Sequence, residues 1–411
     1  MGAHGRAPLC PDGWQRTVNS SSGDPPRRTG FPEEVDAAYQ QIRGAGNEVG
    51  TMSKLGVGVI GVGEMGKRHA ENLVRLATKA RLVGVADTLP ERARSAAQEL
   101  GIEHSYDSAD ALVARRDVQA VVIAAPAKFH AAAIQVAAGA GKHIFCEKPL
   151  ALTLEEADAA LDAVSRAGVS LQLGFMRRYD PAYAQAKKSI EAGEIGEPII
   201  FKSIGRDAEA PPPAYFESGW NGTLFHDNTV HDFDLARWLM SDEVVEVHTY
   251  AAARALPQLT PLGLFDSGVV NLRFAHGAIG NVESFLDARY GYDVRTEIVG
   301  TKGTIQVGSL RDTPLQVLTQ RGCRHHMVNH FLVRFAHAYV LEMQDFVDAM
   351  LSSRAPQVTG LDGRQALAVV LAAGRSFRET RPVQVKVPRT AATRKHLWPT
   401  PKGPTAYPAF D

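Results

Sequence analysis

Apolar and polar positions follow one pattern up to about residue 175 and another beyond it. From Leu55 onward, short apolar runs such as LGVGVIGV, VQAVVIAAP and HIFCEKP alternate with helically spaced segments such as GKRHAENLVRLA and PERARSAAQEL. Strands that alternate with helices in this way are typical of βαβ units and a parallel sheet. The pattern therefore predicts an α/β domain over residues 54–175.

The second pattern contains many strands and few helices. The runs EPIIFKSIGR, VVEVHTYAAA, GVVNLRFA, AIGNVESFLD and YDVRTEIVG alternate apolar and polar residues with a period of two. This predicts an α+β domain over residues 176–387 with a large, open, mostly antiparallel sheet. Residues 1–53 and 388–411 lack such periodicity and are expected to be a disordered extension and a loose tail. Met52, just before the first strand, is a candidate native start.

Composition narrows the class of protein. Lys plus Arg (45) equals Asp plus Glu (45) in 411 residues, so no basic excess favours nucleic-acid binding. Three cysteines, Cys10, Cys146 and Cys323, are too few and too widely spaced for a disulfide framework, which favours a reducing, cytoplasmic location. No apolar run approaches the roughly 18 residues that a membrane span needs. The expected ligand is therefore a small molecule.

A glycine motif opens the first helix. GVGEMG places Gly61, Gly63 and Gly66 between a strand and a helix, which is the context that a dinucleotide-binding motif requires. The first glycine permits a tight turn, the second lets the backbone approach a pyrophosphate, and the third lets helix and strand pack closely. With Glu64 and Met65, which lie in the same turn, these residues form the predicted cofactor site of a Rossmann domain.

Asp87 indicates which dinucleotide is bound. It ends the second strand, about twenty residues after the glycines, where a carboxylate accepts hydrogen bonds from an adenosine ribose diol. The same charge repels a 2′-phosphate, so NAD is expected rather than NADP. Arg92 and Arg94 lie nearby and soften this preference.

A lysine follows a later strand of the same domain. CEKPLALTLEEA places Glu147 and Lys148 at the carboxyl end of a parallel strand, where ligands of doubly wound sheets bind. Both residues are therefore expected near the nicotinamide. In the same segment, Thr153 and Glu156 have the spacing of a helix capping box.

Together these motifs resemble a known family. GVGEMGKRHAENL, EKPLALTLEEA, GFMRRYDPAY, NTVHDFDLARWL and YGYDVRTEIVGTKGTI resemble, in the same order, the glucose–fructose oxidoreductase/inositol dehydrogenase (Gfo/Idh/MocA) family. The last three are most like its inositol 2-dehydrogenase branch. The resemblance covers residues 55 to 385. It implies a Rossmann domain, an open-sheet domain, substrate bound between them, and a homotetramer or homodimer.

The resemblance also implies site residues. The catalytic lysine of the family matches Lys148, and its Asp-x-x-x-His pair matches Asp227 and His231. In the inositol branch, Arg178 and Tyr290 match further residues that contact substrate. The implied activity is NAD-dependent oxidation of a secondary hydroxyl on a cyclic polyol, with myo-inositol to 2-keto-myo-inositol (scyllo-inosose) as the first choice.

The spacing of Asp227 and His231 suggests how they act. If NTVHDFDLARWLM is a helix, the two residues are four apart and share a face. A carboxylate beside an imidazole orients the ring and stabilises its charged form. The expectation is that Asp227 holds His231, that His231 accepts the hydroxyl proton, and that Lys148 stabilises the developing alkoxide.

Alternatives remain open. A metal ion on His226, Asp227, His231 and Asp232 is disfavoured, because His226 and Asp232 do not share a helix face with the other two, so no metal is expected. Trp220, Asn221 and His226 depart from the inositol dehydrogenase pattern, which leaves another cyclitol or an aldopyranose as alternative substrates. A non-catalytic regulator that senses NAD is the alternative from another functional class.

Overall fold

The computed structural model describes residues 54–308, 310–313 and 315–386. The predicted disordered extension (1–53) and loose tail (388–411) lie outside these residues. The described residues form two large sheets and one two-stranded hairpin within one compact unit. None of their helices is long and apolar enough to cross a membrane.

The first sheet has six parallel strands in the order β3-β2-β1-β4-β5-β6. Its elements are β1 (Leu55–Ile60), α1 (Glu64–Arg75), β2 (Ala80–Ala86), α2 (Pro90–Leu100), β3 (Ser105–Tyr106), α3 (Ala109–Val113), β4 (Ala120–Ile123), α4 (His130–Gly139), β5 (His143–Glu147), α5 (Leu154–Ala167) and β6 (Leu171–Gly174). Strand β1 is buried along its whole length because helices cover both faces of the sheet. The predicted α/β domain is confirmed.

Local signals place the helix ends of this half. The nitrogen of Glu156 donates to Thr153 Oγ1, and the nitrogen of Thr153 donates back to Glu156 Oε2, so the predicted capping box starts α5. The chain between β4 and α4 forms a 3₁₀ turn at Ala127–Phe129. This turn lies at the carboxyl edge of the sheet, beside the glycine loop.

The second sheet has seven strands in the order β12-β11-β7-β10-β9-β8-β15. Its strands are β7 (Pro198–Arg206), β8 (Val244–Ala252), β9 (Ser267–Phe274), β10 (Ile279–Phe285), β11 (Asp293–Gly300), β12 (Thr304–Val307) and β15 (Val383–Gln384). All neighbouring strands are antiparallel except β7 and β10. The predicted open, mostly antiparallel sheet is therefore confirmed, with one parallel pair inside it.

Helices cover one face of this second sheet. The remaining elements are a 3₁₀ turn (Met176–Tyr179), α6 (Pro181–Glu191), α7 (Pro213–Glu217), a π-helical turn (Phe225–Thr229), α8 (Val230–Met240), a 3₁₀ turn (Pro257–Leu262), the hairpin β13–β14 (Val317–Thr319 and Gly322–Arg324), α9 (Phe331–Arg334), α10 (Ala336–Leu351) and α11 (Gly360–Glu379). Phe201 and Ser203 of β7 are buried toward the helices, whereas Lys202 is exposed on the other face. This alternation is the period of two seen in the sequence.

The two sheets share a core. Met343, Phe346 and Val347 of α10 pack with Val57 and Phe145 of the first sheet, although α10 follows the second sheet in sequence. The predicted boundary after residue 175 marks the change of sheet, and the division into domains at that point stays a prediction. Hydrogen bonds between Lys148 and Asp227 join the carboxyl edge of the first sheet to the π-helical turn.

Candidate active site

The glycine loop has room for a dinucleotide. Gly61 has φ +83°, a left-handed conformation that favours glycine. A Cβ on Gly66 would lie 1.8 Å from the carbonyl oxygen of Gly61, so only glycine lets α1 pack this closely. A Cβ on Gly63, by contrast, would meet no described atom within 4 Å. Gly63 precedes α1 without a side-chain cap, so N–H groups of the first turn face open space that suits a pyrophosphate.

Asp87 supports the glycine loop from the next strand. Its Oδ2 accepts a hydrogen bond from the nitrogen of Val62 at 3.0 Å, and its Oδ1 accepts one from the nitrogen of Leu89 at 2.9 Å. Arg92 lies 3.4 Å from the same carboxylate. Because an ionised carboxylate offers about four acceptor positions, Asp87 still has acceptor positions for ribose hydroxyls. This geometry fits the predicted NAD site.

Glu147 does not face the cofactor side, contrary to the prediction. Its carboxylate is buried and bonded to His69 Nε2 of α1 at 2.6 Å, and it also accepts the nitrogen of Lys148 at 3.1 Å. Successive residues of a strand point to opposite faces, so Glu147 points beneath the loop and Lys148 points into the cleft. Burial alone would raise the pKa of Glu147, but the hydrogen bond from His69 and the charge of Lys148 hold it below its ordinary value.

Lys148, Asp227 and Tyr215 form one hydrogen-bonded cluster. Lys148 Nζ donates to Asp227 Oδ1 at 2.8 Å and to the carbonyl oxygen of Asp227 at 2.7 Å. The hydroxyl of Tyr215 in α7 donates to Asp227 Oδ2. Both charged side chains are partly accessible, with 18% of Lys148 and 37% of Asp227 exposed. The cluster lies at the carboxyl edge of the first sheet, where ligands of this fold bind.

The surroundings of Asp227 keep it ionised. Burial on its own would raise the pKa of this carboxyl, but the charge of Lys148 and hydrogen bonds from Lys148 and Tyr215 outweigh it and lower the pKa. Burial and the nearby Asp227 raise the pKa of Tyr215 above its ordinary value, so Tyr215 stays protonated and donates. The cluster therefore contains an ionised carboxylate that accepts from both Lys148 and Tyr215.

The expected contact between Asp227 and His231 is absent from the hydrogen bonds of the described residues. Asp227 lies in the π-helical turn, whose i→i+5 hydrogen bonds rotate side chains away from their α-helical positions. Residues four apart therefore no longer stack on one face, and the Asp227 carboxylate turns to Lys148 and Tyr215. The prediction that Asp227 holds His231 was wrong in this respect.

Packing holds His231 instead. Its ring lies edge-on to Phe175, with centroids 5.9 Å apart, and its Nδ1 is buried without a hydrogen-bond partner. Burial, and then the charges of Lys148 and Arg177, lower the pKa of His231 well below its ordinary value. His231 is therefore neutral at neutral pH, the form in which an imidazole accepts a proton.

Both neighbouring arginines are buried, and they pair with different carboxylates of α8. Arg178 donates to both oxygens of Asp234, through Nε at 2.8 Å, and to Asp362 at 3.1 Å. Its guanidinium is bonded to buried carboxylates in this structure, and the substrate contact of Arg178 stays a prediction. Asp234, as the buried partner of Arg178, has a structural role.

Arg177 instead pairs with Asp232 behind His231. Its guanidinium donates to Asp232 Oδ1 at 2.7 Å, and Ser203 donates to the same oxygen at 2.6 Å. Burial disfavours the charge of Arg177, but Asp232 outweighs this effect and raises the pKa of the guanidinium. Asp232 therefore belongs to a buried polar layer with Arg177 and Ser203.

Tyr290 lies on the other face of the second sheet. Its hydroxyl accepts from Arg206 at 2.7 Å and donates to Asp293 at 2.7 Å. Gly205, the neighbour of Arg206 on β7, faces Asp232 and Asn228 of the cleft side. Because neighbouring strand residues point to opposite faces, Arg206 and Tyr290 point away from Lys148. The predicted substrate contact of Tyr290 is not supported by this position.

Two residues of the site were missed by sequence reasoning. One is Tyr215, which lies in the short helix α7, a stretch without a recognisable motif. The other is Asp207, which follows β7 and accepts the side-chain amide of Asn228 at 2.9 Å. Burial, and then the charge of Asp227, raise the pKa of Asp207 to about 6, while the Asn228 amide opposes the shift. A carboxylate just beyond a strand end was the available signal for Asp207.

The three residues that depart from the inositol dehydrogenase pattern contact other residues of this protein. They are Trp220, Asn221 and His226. His226 Nδ1 accepts the nitrogen of Thr223 at 3.2 Å, and burial lowers the pKa of His226 to about 4. Trp220 and Asn221 contact the 3₁₀ turn at Ala127–Phe129. Among the described residues, no three His, Cys, Asp or Glu side chains are grouped to hold a metal ion.

Comparison with known proteins bears on this geometry. The model of an oxidoreductase family with an NAD-binding Rossmann fold matches residues 55–175, and the GFO/IDH/MocA C-terminal domain matches residues 183–306. A scyllo-inositol 2-dehydrogenase (NAD(+)) of Bacillus subtilis is 40% identical over 331 residues, which are 80% of this chain and 96% of the relative. The chain belongs to the Gfo/Idh/MocA family.

Other relatives agree with this assignment. A myo-inositol 2-dehydrogenase of Thermotoga maritima is 35% identical, over 80% of this chain and 98% of that protein. The crystal structure of a scyllo-inositol dehydrogenase from Lactobacillus casei, with bound NAD(H) and scyllo-inositol, has a TM-score of 0.76 and 31% identity, over 81% of this chain and 99% of that one. This Gfo/Idh/MocA chain is an NAD-dependent oxidoreductase that acts on CH–OH groups, as predicted.

Proposed function

We propose that this enzyme oxidises one secondary hydroxyl of an inositol, with Lys148, Asp227 and His231 at the hydride-transfer site. The observation that carries the proposal is the bonded pair of Lys148 and Asp227, partly exposed at the carboxyl edge of the NAD-binding sheet. Relatives named as inositol 2-dehydrogenases support the substrate class. Bound NAD supplies a hydride acceptor at nicotinamide C4.

Lys148 stabilises negative charge on the substrate oxygen. An ammonium has three N–H donors, and Lys148 directs two of them to Asp227. The third donor and the positive charge are available to the hydroxyl that becomes an alkoxide and then a carbonyl. Asp227 anchors the ammonium, and its remaining acceptor positions suit a substrate hydroxyl.

His231 receives the hydroxyl proton. Its depressed pKa keeps the imidazole neutral, so the proton-accepting form is present throughout the neutral range. The same low pKa weakens the driving force for proton transfer, and the positive charge of Lys148 compensates by acidifying the bound hydroxyl. Lys148 and His231 therefore act on the same oxygen.

The two inositols named by the relatives differ only in configuration at C2, and oxidation at C2 gives the same ketone from both. We propose myo-inositol as the substrate, and the 40% identity to a scyllo-inositol enzyme makes scyllo-inositol the second candidate. Assembly as a tetramer or dimer and a cytoplasmic location remain predictions.

A substrate panel tests the proposal. Purified enzyme and NAD are mixed with myo-inositol, scyllo-inositol, other inositol isomers and common aldopyranoses, and NADH formation is followed by absorbance. Turnover that is fastest with one of the two named inositols is expected. Turnover with sugars only would overturn the substrate class, and no NADH from any compound, despite NAD binding, would favour a regulator.

A further inference from the structure

The 208–223 segment, between β7 and the π-helical turn, joins the two halves of the molecule above the cleft. The carbonyl oxygen of Trp220 accepts the nitrogen of Lys128 at 2.8 Å, and Asn221 Oδ1 accepts the nitrogen of Ala127 at 3.3 Å. The Trp220 ring lies edge-on to Phe129 at 5.6 Å. The C-terminal end of the 208–223 segment is therefore anchored on the NAD-binding half.

This anchor lies beside the cofactor loop. The anchoring 3₁₀ turn follows Ala124 and Ala125, and a Cβ on Gly61 would lie 2.7 Å from the nitrogen of Ala125. The backbone that supports the glycine loop thus leads directly into the turn that holds the 208–223 segment. The segment is consequently tied to the cofactor side of the cleft, not only to its own sheet.

Tyr215 lies within this segment and extends from it to the reacting cluster. Its hydroxyl donates to Asp227 Oδ2 while Lys148 donates to Oδ1, so the carboxylate is held from both sides. Without the Tyr215 hydroxyl, Asp227 would keep Lys148 as its one side-chain donor among the described residues and could rotate. The ammonium of Lys148 would keep its bond to the carbonyl oxygen of Asp227 but would lose the fixed carboxylate that orients it.

We propose that Tyr215 is a positioning residue for hydride transfer, which holds the Asp227 carboxylate, and through it Lys148, in the reactive geometry. This inference rests on the proposed function and deepens it. Tyr215 acts through Asp227 and not on the substrate carbon, so its removal lowers kcat more than it raises KM. The charged or titratable groups that act on Asp227 are Lys148, Tyr215, His226 and the neighbouring Asp207.

Two readouts separate positioning from simple support of the fold. The Tyr215 hydrogen bond is one of the contacts that lower the pKa of Asp227, so its loss raises that pKa. The acid limb of the kcat profile then moves to higher pH. A stability measurement gives the second readout: the Tyr215 bond stabilises the folded state most where Asp227 is ionised, and this effect shrinks as the pH falls and Asp227 becomes protonated.

The test compares Tyr215→Phe with Tyr250→Phe, which removes an exposed phenol hydroxyl from β8, outside the proposed site. For Tyr215→Phe we expect a kcat loss of roughly 10- to 100-fold, the worth of one hydrogen bond to a charged group. We also expect an acid limb at higher pH, unchanged NAD affinity, and a urea midpoint lowered at neutral pH but less so in acid. Tyr250→Phe should keep the wild-type kcat and acid limb.

The possible outcomes distinguish a failure of this inference from a failure of the proposed function. An active wild type with an unchanged kcat and acid limb in Tyr215→Phe overturns the inference and leaves the proposed function standing. A wild type that oxidises no inositol overturns the proposed function. In that case the urea midpoints still decide whether Tyr215 holds Asp227, because a pH-independent difference between wild type and Tyr215→Phe would contradict it.

Discussion

Two ion pairs connect the same helical region to the rest of the molecule, and they differ in exposure. Lys148 and Asp227 are 18% and 37% exposed, whereas Arg178 and Asp234 are 6% and 1% exposed. Both pairs have short, well-directed hydrogen bonds. The accessible pair has donors and acceptors left for a ligand, and the buried pair has none to offer. Exposure, more than residue type, separates the chemical site from its support.

Among the changes that test this comparison of ion pairs, replacement of His231, the base next to the accessible pair, should have the largest effect on kcat. His231→Ala should lower kcat by about 10²–10⁴-fold, because the proton acceptor is lost. NAD affinity should stay unchanged, since His231 is not part of the glycine loop. Steady-state kinetics and NAD titration measure both quantities, with His248→Ala on the second sheet as a control. Near-normal turnover would remove His231 from the mechanism.

Breaking the buried Arg178–Asp234 pair should lower the stability of the folded protein. Arg178→Met leaves Asp234 as an uncompensated buried charge, and we expect the free energy of unfolding to fall by about 3–5 kcal/mol. Arg81→Met breaks the surface pair with Asp117 and should cost less than about 1 kcal/mol. Urea denaturation compares the two variants. A stable Arg178→Met protein with a raised KM for inositol would restore Arg178 to the substrate site.

A third carboxylate, Asp207, allows a pH test. Its folded-state pKa of about 6 exceeds the ordinary 3.8, so the folded protein binds more protons between these values. The contribution of Asp207 to stability is therefore greatest in acid and is lost as the pH rises through this window. The free energy of unfolding of wild type minus that of Asp207→Asn should fall by about 1–3 kcal/mol across it. A difference that does not change with pH would mean that the Asp207 carboxyl is exposed to solvent.

The smallest effect is expected on the far face of the sheet. Tyr290→Phe should change the KM for inositol by less than about twofold, because the Tyr290 hydroxyl bonds Arg206 and Asp293 and not the cleft. The measurement is a substrate titration at saturating NAD. A large rise in KM would mean that Tyr290 contacts substrate, as the family resemblance implies.

Much of the fold and of the cofactor site could be predicted from local sequence signals. Gly61, Gly66 and Asp87 act through their own turn and the next strand, so a motif with its flanking strand and helix predicts them. Lys148 could be predicted because strand ends of a parallel sheet converge on one edge. These residues depend on short stretches of sequence.

Other parts of the site depend on contacts that the sequence does not display. The π-helical turn redirects Asp227 away from His231, and helical spacing alone predicted the opposite. Arg177 and Arg178 are adjacent in one 3₁₀ turn, and the sequence motif does not show which carboxylate each one binds. Tyr215 reaches Asp227 from the short helix α7, so only the folded chain brings the two together.

The central claim is that the accessible Lys148–Asp227 pair performs the chemistry. The most direct measurement is NADH formation by wild type and Lys148→Met with myo-inositol and scyllo-inositol, with NAD binding and Tm measured on both proteins. We predict turnover by the wild type and a kcat lowered on the order of 10²–10³-fold or more in Lys148→Met, with Tm and NAD binding preserved. Near-wild-type turnover by Lys148→Met would contradict the account.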